Sequence, residues 1–286
     1  MGAEAHVLAT NEEDARCPSC NQALLGDYCH RCGERRVEDH DFSLIHFIGH
    51  SLHDFTHLEF TKIPRTIWTL LTRPGFLTNA FLSGQRRRFL TPVGLAVILL
   101  PLSLFLYSHF KQAAVYDVSF FLQVDAAGKG ELNAKLQRAA EKRQVPREVL
   151  IERINQRYQK YMSRAQVAAV VVLSLALWLM YLRRRRYLVE HVVFALHYTS
   201  FICVVNVLVW PVVMQLGLQH PVMKAVNVVT MLGWVVYLVV AMKRVYRQST
   251  GWTVAKAVPL VAGYFGASMV LMIGALVAGI VTALKG

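Results

Sequence analysis

Four consecutive arginines, Arg183, Arg184, Arg185 and Arg186, stand between two apolar runs, each long enough to cross a bilayer. Charge of that density has no place in hydrocarbon, so these residues must lie at a membrane face, and the bias of Lys and Arg toward the inner side predicts the cytoplasmic face. Apolar runs of about 18 residues or more, the length that crosses a hydrocarbon core of about 30 Å, occur at 90–108, 165–182, 189–217, 222–242 and 254–284. The expected fold is therefore an all-α integral membrane protein with about five transmembrane helices. Pro211 should kink the third span. In the fifth, Ala262/Gly266, Gly263/Ala267 and Ala275/Gly279 repeat a small residue at four-residue spacing, which lets helices approach closely.

Composition agrees. Of 286 residues, 55% are hydrophobic and 17% charged, below the usual quarter for soluble domains, and the mean hydropathy is +0.36. The net charge of +13 raises the question of a nucleic-acid partner. Many of the basic residues cluster at the ends of apolar runs, where they set topology and meet anionic headgroups. No nucleic acid is expected, and anionic membrane lipids are. The first 40 residues carry no apolar stretch of the kind a cleavable signal needs.

Four of the five cysteines form one cluster, Cys17-Pro18-Ser19-Cys20 and Cys29-His30-Arg31-Cys32. Two CxxC pairs supply four thiolates to a tetrahedral Zn²⁺ and leave no open position for catalysis. The eight-residue gap is short for such sites. It implies a miniature ribbon, which owes its folding to the metal because so little chain buries almost no core. Residues 1–16 read as a disordered tail, 17–40 as the ribbon, 41–89 as interfacial helices, and 90–286 as the membrane domain with an extracytoplasmic loop at 109–163. Cys203, alone in an apolar run, reads as an inert packed thiol.

Between ribbon and spans, His46, His50, His53 and His57 line one face of an amphipathic segment. They are either its polar face or a metal-binding or pH-sensing stripe. Pro64 starts a short helix, and Arg73-Pro74-Gly75 ends it. Arg73, Arg86, Arg87 and Arg88 either anchor the first span or contact lipid phosphates. From Pro146, Leu150, Ile154, Tyr158 and Tyr161 recur at helical spacing and predict a helix leading directly into the second span.

The arginine clusters at 86–88, 183–186 and 243–247 orient an odd number of spans with the N-terminus in the cytoplasm and the C-terminus outside. That places the thiols in a reducing compartment, where they stay available to zinc. Just past Arg186, Glu190, His191 and His197 enter an apolar segment, and ionisable groups at that depth read by default as functional. The bland alternative pairs Glu190 with the arginines and lets His197 hydrogen-bond inside the bundle. Asn227, Tyr237 or the neighbouring Thr199 and Ser200 are the expected partners of His197.

Several of these residues carry a resemblance. Cys17, Cys20, Tyr28-Cys29, Cys32-Gly33, Thr66, Leu70-Leu71, Arg73-Pro74-Gly75, Leu82, Gly84, Arg86, Phe89-Leu90, Pro92, Glu190-His191, Phe194-Ala195-Leu196-His197, Phe201 and Tyr246-Arg247-Gln248-Ser249 match a pattern. On them the chain resembles a bacterial family of uncharacterised multi-pass membrane proteins, a domain of unknown function with an N-terminal CxxC…YCxxCG ribbon. Gln85 stands where that pattern has a basic residue. The resemblance implies the architecture and a bacterial cytoplasmic membrane, and no activity.

The chain holds no GxSxG, P-loop, HExxH or dinucleotide fingerprint. The leading expectation is a non-enzymatic scaffold or assembly factor, with a protein partner on a cytosolic structural zinc ribbon. Two alternatives use Glu190, His191 and His197: a transporter or lipid-handling protein, and a membrane metalloenzyme.

Overall fold

The computed structural model describes residues 16–36, 43, 47, 49, 60–109, 118, 121–122, 130–184, 187–215 and 220–285. The tail at 1–15, the stripe of His46, His50, His53 and His57, most of the 109–129 segment, and Arg185 and Arg186 lie outside the described residues. Among those described there is no strand, only two isolated antiparallel bridges in the ribbon.

Among the described residues, eight α-helices with defined ends follow the ribbon: α1 Ile63–Thr72, α2 Phe76–Leu82, α3 Pro92–His109, α4 Glu131–Arg143, α5 Arg147–Tyr181, α6 Leu188–Gln215, α7 His220–Tyr246 and α8 Thr250–Lys285. Local chemistry sets their ends. Pro64 lies in the first turn of α1, where its missing N–H costs nothing. Gly75, at φ +74°, turns α1 into α2. Thr91 Oγ1 accepts from the Gly94 N–H at 3.2 Å and caps α3. Gln144, left-handed at φ 54°, ends α4, and Pro146 opens α5.

The structure is an all-α membrane protein. α5, α6, α7 and α8 are each long and apolar enough to cross a membrane; the first expected span, 90–108, corresponds to α3, whose apolar stretch is shorter, Pro92–Leu106. The helix expected from Pro146 onward runs unbroken into the second span as α5.

α5 and α8, with 35 and 36 residues, are each over about 50 Å long at 1.5 Å per residue, so both outreach the hydrocarbon core. They pack antiparallel. Tyr181 meets Gln248 and Lys256 at one end, and Gly279 meets the backbone at Ile154 and Tyr158 at the other. A Cβ on Gly279 would lie 3.1 Å from the Tyr158 nitrogen, so the Ala275/Gly279 pair serves close approach. A Cβ on Gly263 or Gly266 would meet nothing within 4 Å among the described residues.

The main core joins α1, α2, α3, α5, α6, α7 and α8 around Leu70, Leu95, Leu173, Phe194, Leu238 and Tyr246. A second core, around Leu136, Ile154, Tyr158 and Leu276, binds α4 to the first half of α5 and the last third of α8. Val93 packs with Val189 and Val193, so α3 and α6 start at the same end. Tyr181 and Tyr246, the last residues of α5 and α7, also lie at this end.

α1 and α2 dock onto the bundle. The Tyr237 hydroxyl donates to Leu70 O at 2.8 Å, and the Arg244 guanidinium donates to Pro74 O at 2.9 Å. A Cβ on Gly75 would sit 2.8 Å from Ala241 O. Only glycine allows both this left-handed turn and this approach to α7.

Candidate metal centre and polar locus

The ribbon is one knuckle built twice, twelve residues apart. In the first, the Cys17 N–H donates to Gln22 O at 2.8 Å and the Asn21 N–H to Cys17 O at 2.9 Å. In the second, the Cys29 N–H donates to Glu34 O at 2.9 Å and the Gly33 N–H to Cys29 O at 2.7 Å. Asn21 (φ 59°) and Gly33 (φ 68°) hold the same left-handed position, which asparagine and glycine tolerate best. The bridges Arg16–Ala23 and Tyr28–Arg35 close the two loops.

This fold gathers the four sulfurs of Cys17, Cys20, Cys29 and Cys32 within 4.8 Å of one another. Sγ of Cys17 is 3.4 Å from that of Cys32, and Sγ of Cys20 is 3.5 Å from that of Cys29. A tetrahedral site with metal–sulfur bonds of about 2.3 Å needs sulfurs about 3.8 Å apart, so the quartet fits a single ion with small adjustment. A disulfide needs sulfurs at about 2.05 Å, and all four thiols are free.

The electrostatics favour a cation. The Cys32 N–H donates to the Cys29 sulfur and holds its pKa down to about 6, so Cys29 is ionised at neutral pH. At Cys32 the Glu34 N–H pulls the same way, but desolvation and the surrounding sulfurs outweigh it and push the pKa up to about 12. A divalent ion removes the repulsion among four close thiolates.

The ribbon is clamped to the loop between α2 and α3. The Glu34 side chain is 2% exposed. Its carboxylate accepts from the backbone N–H of Arg86 at 3.2 Å, from that of Arg87 at 3.1 Å, and from Ser19 Oγ at 2.7 Å. Gln85 Nε2 donates to Pro18 O at 2.8 Å, and the Arg87 guanidinium to Cys32 O at 3.0 Å. A Cβ on Gly33 would overlap that guanidinium. Arg73, Arg86 and Arg88 lie over the rings of Phe76, Phe81 and Phe89. Glu34 is the residue the sequence reading missed.

Glu190, His191 and His197 all lie buried toward the ribbon end of α6, each with a different neighbour. Glu190 Oε1 accepts from the Tyr187 N–H at 3.2 Å, closing the first turn of α6 as in a capping box. His191 Nδ1 is 2.8 Å from the Tyr246 hydroxyl. Tyr246 stacks on Tyr181 at 3.9 Å, Lys256 Nζ lies 3.9 Å from the Tyr181 ring centre, and the Tyr181 hydroxyl donates to Gln248 at 3.2 Å. His197 Nδ1 shares a 3.1 Å hydrogen bond with Thr78 Oγ1 of α2.

None of the expected partners of His197 is its partner here. Tyr237 serves Leu70, and Asn227 bonds Met223 O on its own helix. Asn227 lies about 28 Å along α7 from Tyr246 at 1.5 Å per residue, far from the docked end. α2 reaches His197 instead. Of the motif residues, His191 meets Tyr246 directly, and Gln248 joins them through the Tyr181–Tyr246 stack.

Residues 61–106, which form α1, α2 and most of α3, match the family described as "Protein of unknown function (DUF3667)". No curated protein and no solved structure matches the chain.

Proposed function

We propose that this protein is a non-enzymatic scaffold or assembly factor of a bacterial cytoplasmic membrane, displaying a zinc-closed ribbon on the cytosolic side. One observation carries this reading: His191 and His197 tie α6 to α7 and α2, and Glu190 closes the first turn of α6, so each is engaged by a separate neighbour. Groups committed pairwise to the core hold helices together, whereas a transport or catalytic site gathers its polar groups on one cavity. Four thiolates close the coordination sphere of the ion, so zinc here is structural.

The ribbon sits at the end of the bundle that also carries Arg86, Arg87, Arg88, Arg183 and Arg244, and this supports a cytosolic N-terminus and an extracytoplasmic C-terminus. Anionic headgroups are the expected lipid partners of Arg73, Arg86, Arg87 and Arg88, with Arg87 shared with the ribbon. Leu25 and Tyr28 are 87% and 64% exposed on the ribbon and offer an apolar contact to a protein partner.

A complementation assay tests the reading. His191→Phe and His197→Leu variants present at wild-type abundance should retain function, while Cys29→Ser should lose it. Loss of function in a normally abundant histidine variant would overturn the scaffold reading in favour of chemistry at the locus.

A further inference from the structure

A second polar region lies away from the ribbon, where α3, α5, α6 and α8 leave a cavity of about 140 Å³. Its polar lining comes from Ser103, Gln166, Thr199, Asn206, Tyr264 and Ser268. None of the three buried ionisable groups of α6 lines it, and no Asp, Glu, Lys, Arg or His does. Thr199 is 7% exposed. Thr199 Oγ1 and Asn206 Oδ1 are buried atoms without a hydrogen-bond partner among the described residues.

We propose that this cavity binds the glycerol end of a neutral lipid of the diacylglycerol class, whose one free hydroxyl donates to Asn206 Oδ1 and whose ester carbonyl accepts from the Thr199 hydroxyl. Four properties of the cavity lead there. An uncharged lining gives nothing to compensate a buried phosphate or carboxylate, so the ligand is neutral. Asn206 Oδ1 only accepts, so the ligand brings an O–H or N–H donor. The volume is close to the roughly 150 Å³ that houses a benzene, about six heavy atoms, the size of a glycerol unit.

Depth is the fourth. The α5 lining begins at Met162, and Arg157, Lys160 and Arg164 are exposed on the same stretch of helix. Basic residues of that kind belong at the headgroups, so the cavity lies near the glycerol level of the leaflet opposite the ribbon. Ala165, Ile202 and Leu271 of the lining are only partly buried, so the cavity is not sealed. Met269, Val270 and Ile273 of α8 expose apolar surface beside it, along which acyl chains run.

Photolabelling of the full chain in phosphatidylcholine nanodiscs tests this. One probe is a diacylglycerol with a diazirine near the glycerol, and the other is the phosphatidic acid with the same tails. The expected result is at least fivefold more labelling of peptides containing 162–169 or 264–271 by the diacylglycerol. Thr199→Val and Asn206→Leu should each reduce it at least fivefold. Ala169→Leu, which fills the cavity with apolar volume, should abolish it even if the polar variants fold poorly. Free glycerol, which shares the hydroxyl chemistry, is added as competitor. Failure to compete below molar concentration supports the lipid source, and competition at millimolar concentration overturns it in favour of a soluble polyol. Equal labelling by the two probes, or labelling unaffected by Ala169→Leu, would mean that the cavity holds only water.

Discussion

Replacing Glu34 with alanine should undock the ribbon without emptying its metal centre. The carboxylate takes three donors, the Arg86 and Arg87 N–H groups and Ser19 Oγ, all within 3.2 Å. A hydrogen bond to a charged group is worth about 1.5–3 kcal/mol net. Water replaces part of this, because the loop lies at the end of the bundle, so the low end of the range applies. Two backbone donors at about 1.5 kcal/mol each give about 3 kcal/mol, roughly a hundredfold in the docking equilibrium. Hydrogen–deuterium exchange of 16–36 and 83–90 reads that equilibrium directly, with metal content measured on the same sample. Glu34→Gln should not rescue docking, because its NH₂ group would face a backbone donor. Exchange within threefold of wild type would refute the clamp. Metal lost together with protection would show that Glu34 supports the metal centre rather than the docking.

Purified protein should carry one zinc per chain, and Cys29→Ser should lose it while α5–α8 stay folded; stoichiometric zinc in that variant, by elemental analysis, would refute the four-thiolate site. Gly75→Ala should cost about 1–2 kcal/mol for the left-handed backbone alone, and more from the approach to Ala241 O, seen as a lower Tm and faster proteolysis at the α1–α2 turn. An unchanged Tm would mean that the hairpin is not seated on α7. A cysteine at Lys142, exposed on α4, should react with an impermeant thiol reagent in intact cells. Reaction only after lysis would invert the proposed orientation.

The membrane architecture was legible because uninterrupted apolar length and arginine clusters are signals no tertiary contact can override. The docking of α1 and α2 was not. Their buried faces hold Thr66, Thr69 and Thr78, which weaken an apolar stripe, and a threonine's choice between solvent and a buried acceptor is made by the neighbour. Thr66 Oγ1 donates to Lys62 O and accepts from the Leu90 N–H, tying α1 to the start of α3. The small pairs of α8 teach the same lesson. Ala262/Gly266 and Ala275/Gly279 look alike in sequence, and only the second meets α5, since only that face turns toward it.

The cysteine quartet was legible because thiol spacing is nearly its own proof of a tetrahedral site. Glu34 was hidden by its neighbours, since Glu34-Arg35-Arg36 reads as solvated charge. A signal existed in the twelve-residue repeat, where Cys-x-x-Cys-Asn-Gln becomes Cys-x-x-Cys-Gly-Glu. The knuckle itself needs only the backbone of the sixth residue, as the bonds from Cys17 to Gln22 and from Cys29 to Glu34 show. The side chain at that position is therefore free to face a partner, and a carboxylate there asks for donors. Reading Arg86 and Arg87 only as side-chain cations overlooks their N–H groups, which the turn at Gly84 (φ 89°) leaves outside any helix. Any strain in the ribbon therefore reaches the bundle through 83–90. That loop lies inside the family match and continues into α3, so a change at the metal centre reaches α3 through the hydrogen bonds of Glu34 and then along the loop.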